Sequence, residues 1–383
     1  MTKLEAARNV PTALPPPATA GMPLSEVDTP ALLLDLDAFE YNLKALNDSL
    51  AGTNVRVRPH AKSHKCPEIA RRQMALGAVG ICCQKTSEAE AFVRNGVTNV
   101  LVANEVVGEQ KLKRLAALAK VAAMGVCVDN ATNVRALEVA MAGVDALINV
   151  LVEVDVGAAR CGVLPGPETV ALARAVAASP HLRFAGIQAY QGAAQHLRTP
   201  EARANAIRAA VESVEVCVAG LKAAGLAPQI IAGAGTGTYL NEATSGLYNE
   251  LQVGSYIFMD ADYQRNLEAD GKPVRTFRQS LYILSTVMSR PVKNRAVVDV
   301  GLKAHSVDSG MPGVADLEGA RYLKASDEHG VLELTTTDAK LGQKVRLIPG
   351  HCDPTVNLYD WLVCYRGDRV EDIWPISARG AFY

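Results

Sequence analysis

From about residue 53 to about residue 260 one unit recurs eight times: a short β-like apolar run, a polar residue or glycine, then an Ala-rich helical pattern. The strand candidates are "NVRVRP", "AVGICCQ", "NVLVANE", "MGVCVDN", "ALINVLVEVD", "RFAGIQAYQ", "PQIIAGAG" and "ELQVGSYIFMD". Their β-branched residues favour strand, whereas the Ala, Leu, Glu, Lys and Arg of the intervening segments favour helix. Strands that alternate with helices pair in parallel, because the helix returns the chain to the same edge. Eight of them is the arithmetic of a (β/α)8 TIM-type barrel, although an open doubly wound sheet has the same local pattern.

After about residue 276 the period changes. "SLYILSTVMS", "RAVVDVGLKA", "ARYLKAS", "GVLELTT", "QKVRLIPGH", "WLVCYRG" and "RVEDIWPIS" are short, alternating and separated by Gly, Asp and Asn turns. That is the pattern of an antiparallel β domain. The expected division is a flexible Pro/Ala/Thr-rich arm over 1–23, a barrel over 24–275 and a C-terminal β domain over 276–383. The extended run "TPALLLDLD" within 24–36 is able to join the β domain instead.

Charge narrows the function classes. Lys and Arg number 39 against 40 Asp and Glu, so no basic excess points to nucleic acid and no charge block to a membrane surface. No apolar run reaches the length of a membrane span, and the start has no signal-type apolar stretch. Eight cysteines occur without a single CxxC, most within apolar strand runs, which fits reduced core residues in a cytoplasmic protein.

Barrel chemistry sits at the C-terminal ends of the strands. Those positions hold Lys62, Gln84, Asn104, Asp129, Asp155 with Arg160, Tyr190 with Gln191, Gly235 with Thr236, and Gly254 with Ser255. Among these strand ends only the first offers an amine. A lysine becomes nucleophilic when desolvation or nearby cations depress its pKa, and Arg58, His60 and His64 are at hand in "RVRPHAKSHKC". A basic surface turn fits the same stretch. "AGAGTGTY" at 232–239 and "VGSYIF" at 253–258 end the seventh and eighth strands with glycines and hydroxyls. Glycines admit close backbone approach, and exposed N–H groups there suit phosphate. Neither stretch has the G-x-G-x-x-G spacing of a dinucleotide fold. Phosphate loops at strands 7 and 8 facing a lysine at strand 1 point to pyridoxal phosphate (PLP). In "PGHCDPT" an extended backbone would put His351 and Asp353 on one side and Cys352 on the other. An imidazole with a carboxylate suits Mn²⁺, Mg²⁺, Co²⁺ or Zn²⁺; a β-turn with a structural aspartate also fits.

Taken together, "RPHAKSHK", "GICCQKTSEAEA", "VDVGAARCGV", "IQAYQG", "GAGTGTY", "GSYIFMDADY" and "PGHCDPT" resemble the D-threonine aldolase and D-serine dehydratase group of fold-type III PLP enzymes. These are relatives of bacterial alanine racemase, and the likeness runs from about residue 24 to the end. The resemblance implies that Lys62 is the PLP lysine and that Arg160 and Tyr190 lie near the cofactor. It further implies that Gly235, Thr236, Gly237, Gly254, Ser255 and Tyr256 cradle the phosphate, and that His351 and Asp353 bind the metal. Two positions depart from the wider pattern. Gln252 stands where alanine racemases place an arginine, and Tyr190 stands where some relatives have a histidine. The base is therefore not assigned by the resemblance; His196 is a candidate, although a surface role suits it better.

The activity so implied is metal-assisted cleavage of D-threonine or 3-hydroxy-D-aspartate to glycine and an aldehyde, by a homodimer. Arg160, Lys303 and His305 are the candidate receptors for a substrate side-chain carboxylate. The alternatives are a metal-dependent dehydratase, for which an H-x-C pair would be expected, a racemase, and a PLP-binding protein without catalysis.

Overall fold

A computed structural model describes residues 15–383; the earlier part of the expected arm lies outside the described residues. All eight barrel strands form where the apolar runs place them. They are β2 (Arg56–Val57), β3 (Ile81–Cys83), β4 (Asn99–Glu105), β5 (Ala123–Val128), β6 (Ile148–Glu153), β7 (Leu182–Gln188), β8 (Ile230–Gly233) and β9 (Glu250–Leu251). The order β2-β9-β8-β7-β6-β5-β4-β3 is parallel throughout. The first strand is bonded on both flanks. Arg58 N–H donates to Leu251 O on one side, and Cys82 N–H to Pro59 O on the other. A parallel bridge between His60 and Cys82 completes the seam. The sheet therefore curls round to meet itself, which removes the open doubly wound alternative.

Strand alternation separates two packing layers. Cys82, Leu101, Cys127, Leu151, Ala185 and Ala232 cluster in the barrel interior. Val100, Val102, Val126, Val128, Val150 and Val152 point outward into the larger core shared with the helices. Small interior residues let the barrel stay narrow. Gly186 meets a different limit, the neighbouring strand: a Cβ there would lie 1.8 Å from Ile230 O.

The second sheet has nine strands, and the seven β-rich segments after residue 276 all contribute to it. Strand β1 (Ala31–Asp35) lies inside this sheet, antiparallel to β10 (Leu281–Val292) and parallel to β16 (Trp361–Arg366). Residues 24–36 thus feed the β sheet before the first barrel strand begins. Gly21 N–H donates to Val370 O at 2.8 Å and Met22 O accepts from Val370 N–H at 2.9 Å, so this part of the expected arm is laid against β17 (Arg369–Pro375). No helix among the described residues is long and apolar enough to cross a membrane.

Arg58 turns to the barrel floor. Its Nε lies 2.7 Å from Glu250 Oε1 and its Nη1 2.7 Å from Asn99 Oδ1, with the Glu250 side chain fully buried. Breaking a buried ion pair leaves one uncompensated charge, at a cost of about 3–5 kcal/mol. Glu250→Ala is therefore expected to lower the free energy of urea unfolding by about that amount; a loss under about 1 kcal/mol, the range of an exposed pair, would contradict it.

Candidate active site

The mouth of the barrel encloses a cavity of ≈ 520 Å³, bounded by His60, Lys62, Gln84, Arg160, Gln188, Tyr190, Gly235, Thr236, Gln252, Gly254, Ser255 and Tyr263 among others. Seven of the nine expected cofactor-binding residues thus meet in one place: Lys62, Arg160, Tyr190, Gly235, Thr236, Gly254 and Ser255. Lys62 lies in a one-turn 3-10 segment, Ala61–Ser63, which helix α9 (Cys352–Val356, the ninth α-helix among the described residues) packs against. That contact brings Asp353 Oδ2 to 2.7 Å from Lys62 Nζ, across 291 residues of sequence.

The electrostatics of Lys62 run opposite to the sequence expectation. Arg58 is spent on Glu250, and neither histidine supplies a positive field. Burial, followed by the Lys62 charge, holds His60 well below its ordinary range, and burial lowers His64 to about 3. Asp353 keeps the Lys62 ammonium well above the ordinary lysine range, outweighing burial. Burial works against ionised Asp353, yet the Lys62 and His351 charges hold its carboxyl well below the usual range. The lysine is charged and paired, not neutral.

The metal motif is also arranged differently from an extended strand. His351 has φ −142° and ψ 125°, but helix begins at Cys352, so the rule of alternate sides fails after one residue. Cys352 is buried, with its thiol 3.2 Å from Asp353 Oδ1 and its N–H donating to Asp260 Oδ2. His351 Nδ1 lies 2.7 Å from Asp308 Oδ2. A carboxylate accepting from Nδ1–H fixes the tautomer and leaves the Nε2 lone pair free, the usual setting of a metal-binding histidine. The imidazole and carboxylate donors fit a borderline divalent cation. Asp308 and Asp260 carried no signal in the sequence, since their partners are 43 and 92 residues away.

The phosphate loops fit an anion. Thr236 Oγ1 is buried without a hydrogen-bond partner among the described residues. The backbone N–H groups of Gly235, Thr236, Ser255 and Tyr256 likewise meet no protein acceptor among them. A buried hydroxyl left unpaired is costly, which makes an anion acceptor its natural complement. Two residues of the expected cradle differ from their assignment. Gly237 N–H is taken by Gln195 Oε1 at 2.9 Å. The Tyr256 side chain faces away from the cavity: its hydroxyl accepts from Gln73 Nε2 at 3.1 Å and its ring packs on Phe277. Gln195, which also donates to Thr238, shapes the loop and escaped notice because glutamine marks no motif.

On the other wall Arg160 extends over the Tyr190 ring at 5.7 Å, half exposed. Gln188 and Gln252 form a reciprocal amide pair at 2.7 and 2.8 Å, a neutral floor beneath them. His196 is paired with Asp262 and stacks near Tyr263, one ring removed from the cavity. The two other candidate carboxylate receptors are elsewhere: Lys303 pairs with Glu328 at 2.6 Å on the surface, and buried His305 is bonded to the Tyr322 hydroxyl at 2.9 Å.

A closed parallel barrel with a lysine at its first strand end, phosphate-competent loops at its last two and an added β domain defines an enzyme barrel of the alanine racemase type. The family model described as alanine racemase, N-terminal domain, matches residues 34–262, and a putative serine dehydratase domain matches 280–365. Within that class the chain belongs to the family of D-threonine aldolases and 3-hydroxy-D-aspartate aldolases. It is 50% identical to a D-threonine aldolase of Arthrobacter sp, over 96% of this chain and 97% of that one. It is 48% identical to a 3-hydroxy-D-aspartate aldolase of Paracoccus denitrificans (strain Pd 1222), over 96% of each chain. The crystal structure of D-threonine aldolase from Filomicrobium marinum superposes with a TM-score of 0.93 at 50% identity, covering 96% of this chain and all of that one.

Removing Asp353 takes away the largest influence that raises Lys62, and burial then acts alone in the opposite direction. In Asp353→Ala the pH at which Lys62 reacts with an amine-directed reagent, followed by peptide mass spectrometry, is expected to fall by about one unit or more. An unchanged labelling profile would contradict the pairing.

Proposed function

We propose that the chain is a PLP- and divalent-metal-dependent aldolase that cleaves D-3-hydroxy amino acids, D-threonine or 3-hydroxy-D-aspartate, to glycine and an aldehyde. The observation that carries this reading is the 2.7 Å contact of Lys62 Nζ with Asp353 Oδ2. It sets the amine that would hold a cofactor beside a carboxylate that would hold a cation, so both act on adjacent atoms of one substrate. When bound, PLP supplies an electron sink for negative charge at Cα, and the cation supplies Lewis acidity at the β-hydroxyl.

The chain's own residues divide the remaining work. Lys62 is the attachment point for the cofactor. Thr236 Oγ1 and the N–H groups of Gly235, Gly254, Ser255 and Tyr256 surround its phosphate, while Gly237 shapes the turn. Tyr190 and Arg160 wall the ring side of the cavity. His351, oriented by Asp308, and Asp353 hold Mn²⁺, Mg²⁺, Co²⁺ or Zn²⁺. The Gln188–Gln252 pair offers neutral amides where alanine racemases have an arginine, which favours a lyase over a racemase. Asp353 in place of a thiolate ligand favours the aldolase over the dehydratase, because a carboxylate does not select zinc as a thiolate does. The domain division at 275/276, with residues 24–36 counted in the β sheet, belongs to the same reading. So do a cytoplasmic location, which the buried state of seven of the eight cysteines supports, and a homodimer, which rests on the family resemblance.

Of the three candidate receptors for a substrate carboxylate only Arg160 faces the cavity. The relatives of the two named activities are about equally similar to the chain, so substrate preference rests on that arginine.

Product identification tests the reading. D-threonine and 3-hydroxy-D-aspartate are expected to yield glycine with acetaldehyde or glyoxylate, with L-isomers inert, and a chelator should stop turnover. Asp353→Ala should lower kcat by about 100-fold or more while the cofactor absorbance remains. Ammonia and a 2-oxo acid as main products would overturn the aldolase reading.

A further inference from the structure

Three adjacent strand ends bring carboxylates to the barrel mouth. Glu105 on β4 is in register with Cys127 on β5, an interior residue. Val128 is in register with Val152, so Asp129 and Glu153 follow in step on β5 and β6. Asp129 lies two residues beyond Cys127 and Glu153 two beyond Leu151, both interior, so both acids project inward. The loop after β6 folds back over them: Val163 N–H donates to Glu153 O at 3.0 Å and Gly162 N–H to Asp129 Oδ2 at 3.2 Å. That fold delivers Cys161. One ligand atom each from Glu105, Asp129 and Cys161 then lie within 4.8 Å of one another.

An independent feature lies beside this group, at Glu153 in step with Asp129. The Glu153 side chain is 6% exposed, and its Oε2 has no hydrogen-bond partner among the described residues. The nearest cation is Arg160, 3.9 Å from Glu153 Oε1 and 56% exposed. One loosely held guanidinium faces three carboxylates and a thiol, and a buried carboxylate without a partner is costly. The cluster calls for another positive charge.

We propose that Glu105, Asp129 and Cys161, with Glu153 beside Asp129, form a second divalent-cation site, separate from His351 and Asp353, that ties down the loop carrying Arg160. Mixed carboxylate and thiolate donors suit a borderline or soft ion, Zn²⁺ or Cd²⁺. Bonds of about 2.0–2.3 Å in tetrahedral geometry need ligand separations of about 3.3–3.8 Å, which small rotations of half-buried side chains provide. Arg160 follows directly before Cys161, so an ion on the thiolate anchors the backbone of the arginine that walls the cavity.

The probe is Cd²⁺ added alone to the full chain carrying H351A and D353A, which removes the other candidate site. One Cd²⁺ per chain by equilibrium dialysis, with an ultraviolet thiolate-to-metal band, is expected. Adding C161S should abolish the band, and adding E105Q should weaken binding by about tenfold or more. No Cd²⁺ bound, or a band that persists in the C161S background, would overturn the proposal; the first result would leave the acids sharing protons. Should C161S fail to fold, the ¹¹³Cd resonance of the parent variant decides. One sulfur ligand among oxygens supports the site, and an all-oxygen or absent resonance contradicts it.

Discussion

The contact between Lys62 and Asp353 joins two sheets that are otherwise built on different rules. Parallel strands must be returned by helices, and they place their ends in a ring around a cavity. The antiparallel sheet has no such ring, but its turn at 350–356 reaches across to the first barrel strand and ends on the lysine. Placing the amine and the carboxylate 2.7 Å apart by that route couples the two halves of the proposed chemistry. It also explains the course of the chain's beginning. Strand β1 lies between β10 and β16, so the polypeptide leaves the β sheet just before it starts the barrel, and the sheet cannot drift from the first strand end.

Charge is sorted by depth. At the barrel floor Arg58 and Glu250 neutralise one another, and Arg58 adds a bond to Asn99. At the mouth the histidines flanking Lys62 are kept neutral by burial, so the lysine's charge is answered by Asp353 alone among the groups bonded to it. On the far side the balance reverses: Glu153 is pushed up to about 8 by burial and then by Glu105. The cavity is thus lined by the paired Lys62 on one side, by Arg160 on the other, and between them by loops with unpaired donors. Such asymmetry suits a ligand with an anionic end and a reacting end.

The barrel was legible because its signal is periodic. Eight apolar runs with helical spacers constrain the fold without knowledge of any contact, and every run forms its strand. The β domain was legible for the same reason. Local motifs transferred less evenly. Thr236 and Ser255 line the cavity as their loops suggested, because a glycine-rich turn after a strand has few ways to go. Tyr256 does not, since the 3-10 turn at Ser255–Ile257 swings the ring toward Phe277. "RVRPHAKSHK" looked like a cationic field because composition carries no depth: Arg58 is one strand face away from Lys62 and both histidines are neutral. His351 and Asp353 were singled out by spacing and by the family resemblance, yet the backbone that follows His351 is helical. Asp308, Gln195 and the Glu105–Asp129–Cys161 group are long-range assemblies with no local pattern to read.

Diffraction from crystals grown with PLP and Mn²⁺, with data collected at the manganese absorption edge, tests the central claim that one lysine and one carboxylate unite cofactor and metal. The account predicts cofactor density continuous with Lys62 Nζ, and an anomalous peak bonded to His351 Nε2 and the Asp353 carboxylate, with the Lys62–Asp353 bond broken. Cofactor density on another lysine, or no peak at His351 and Asp353 with the Lys62–Asp353 pair intact, would contradict it.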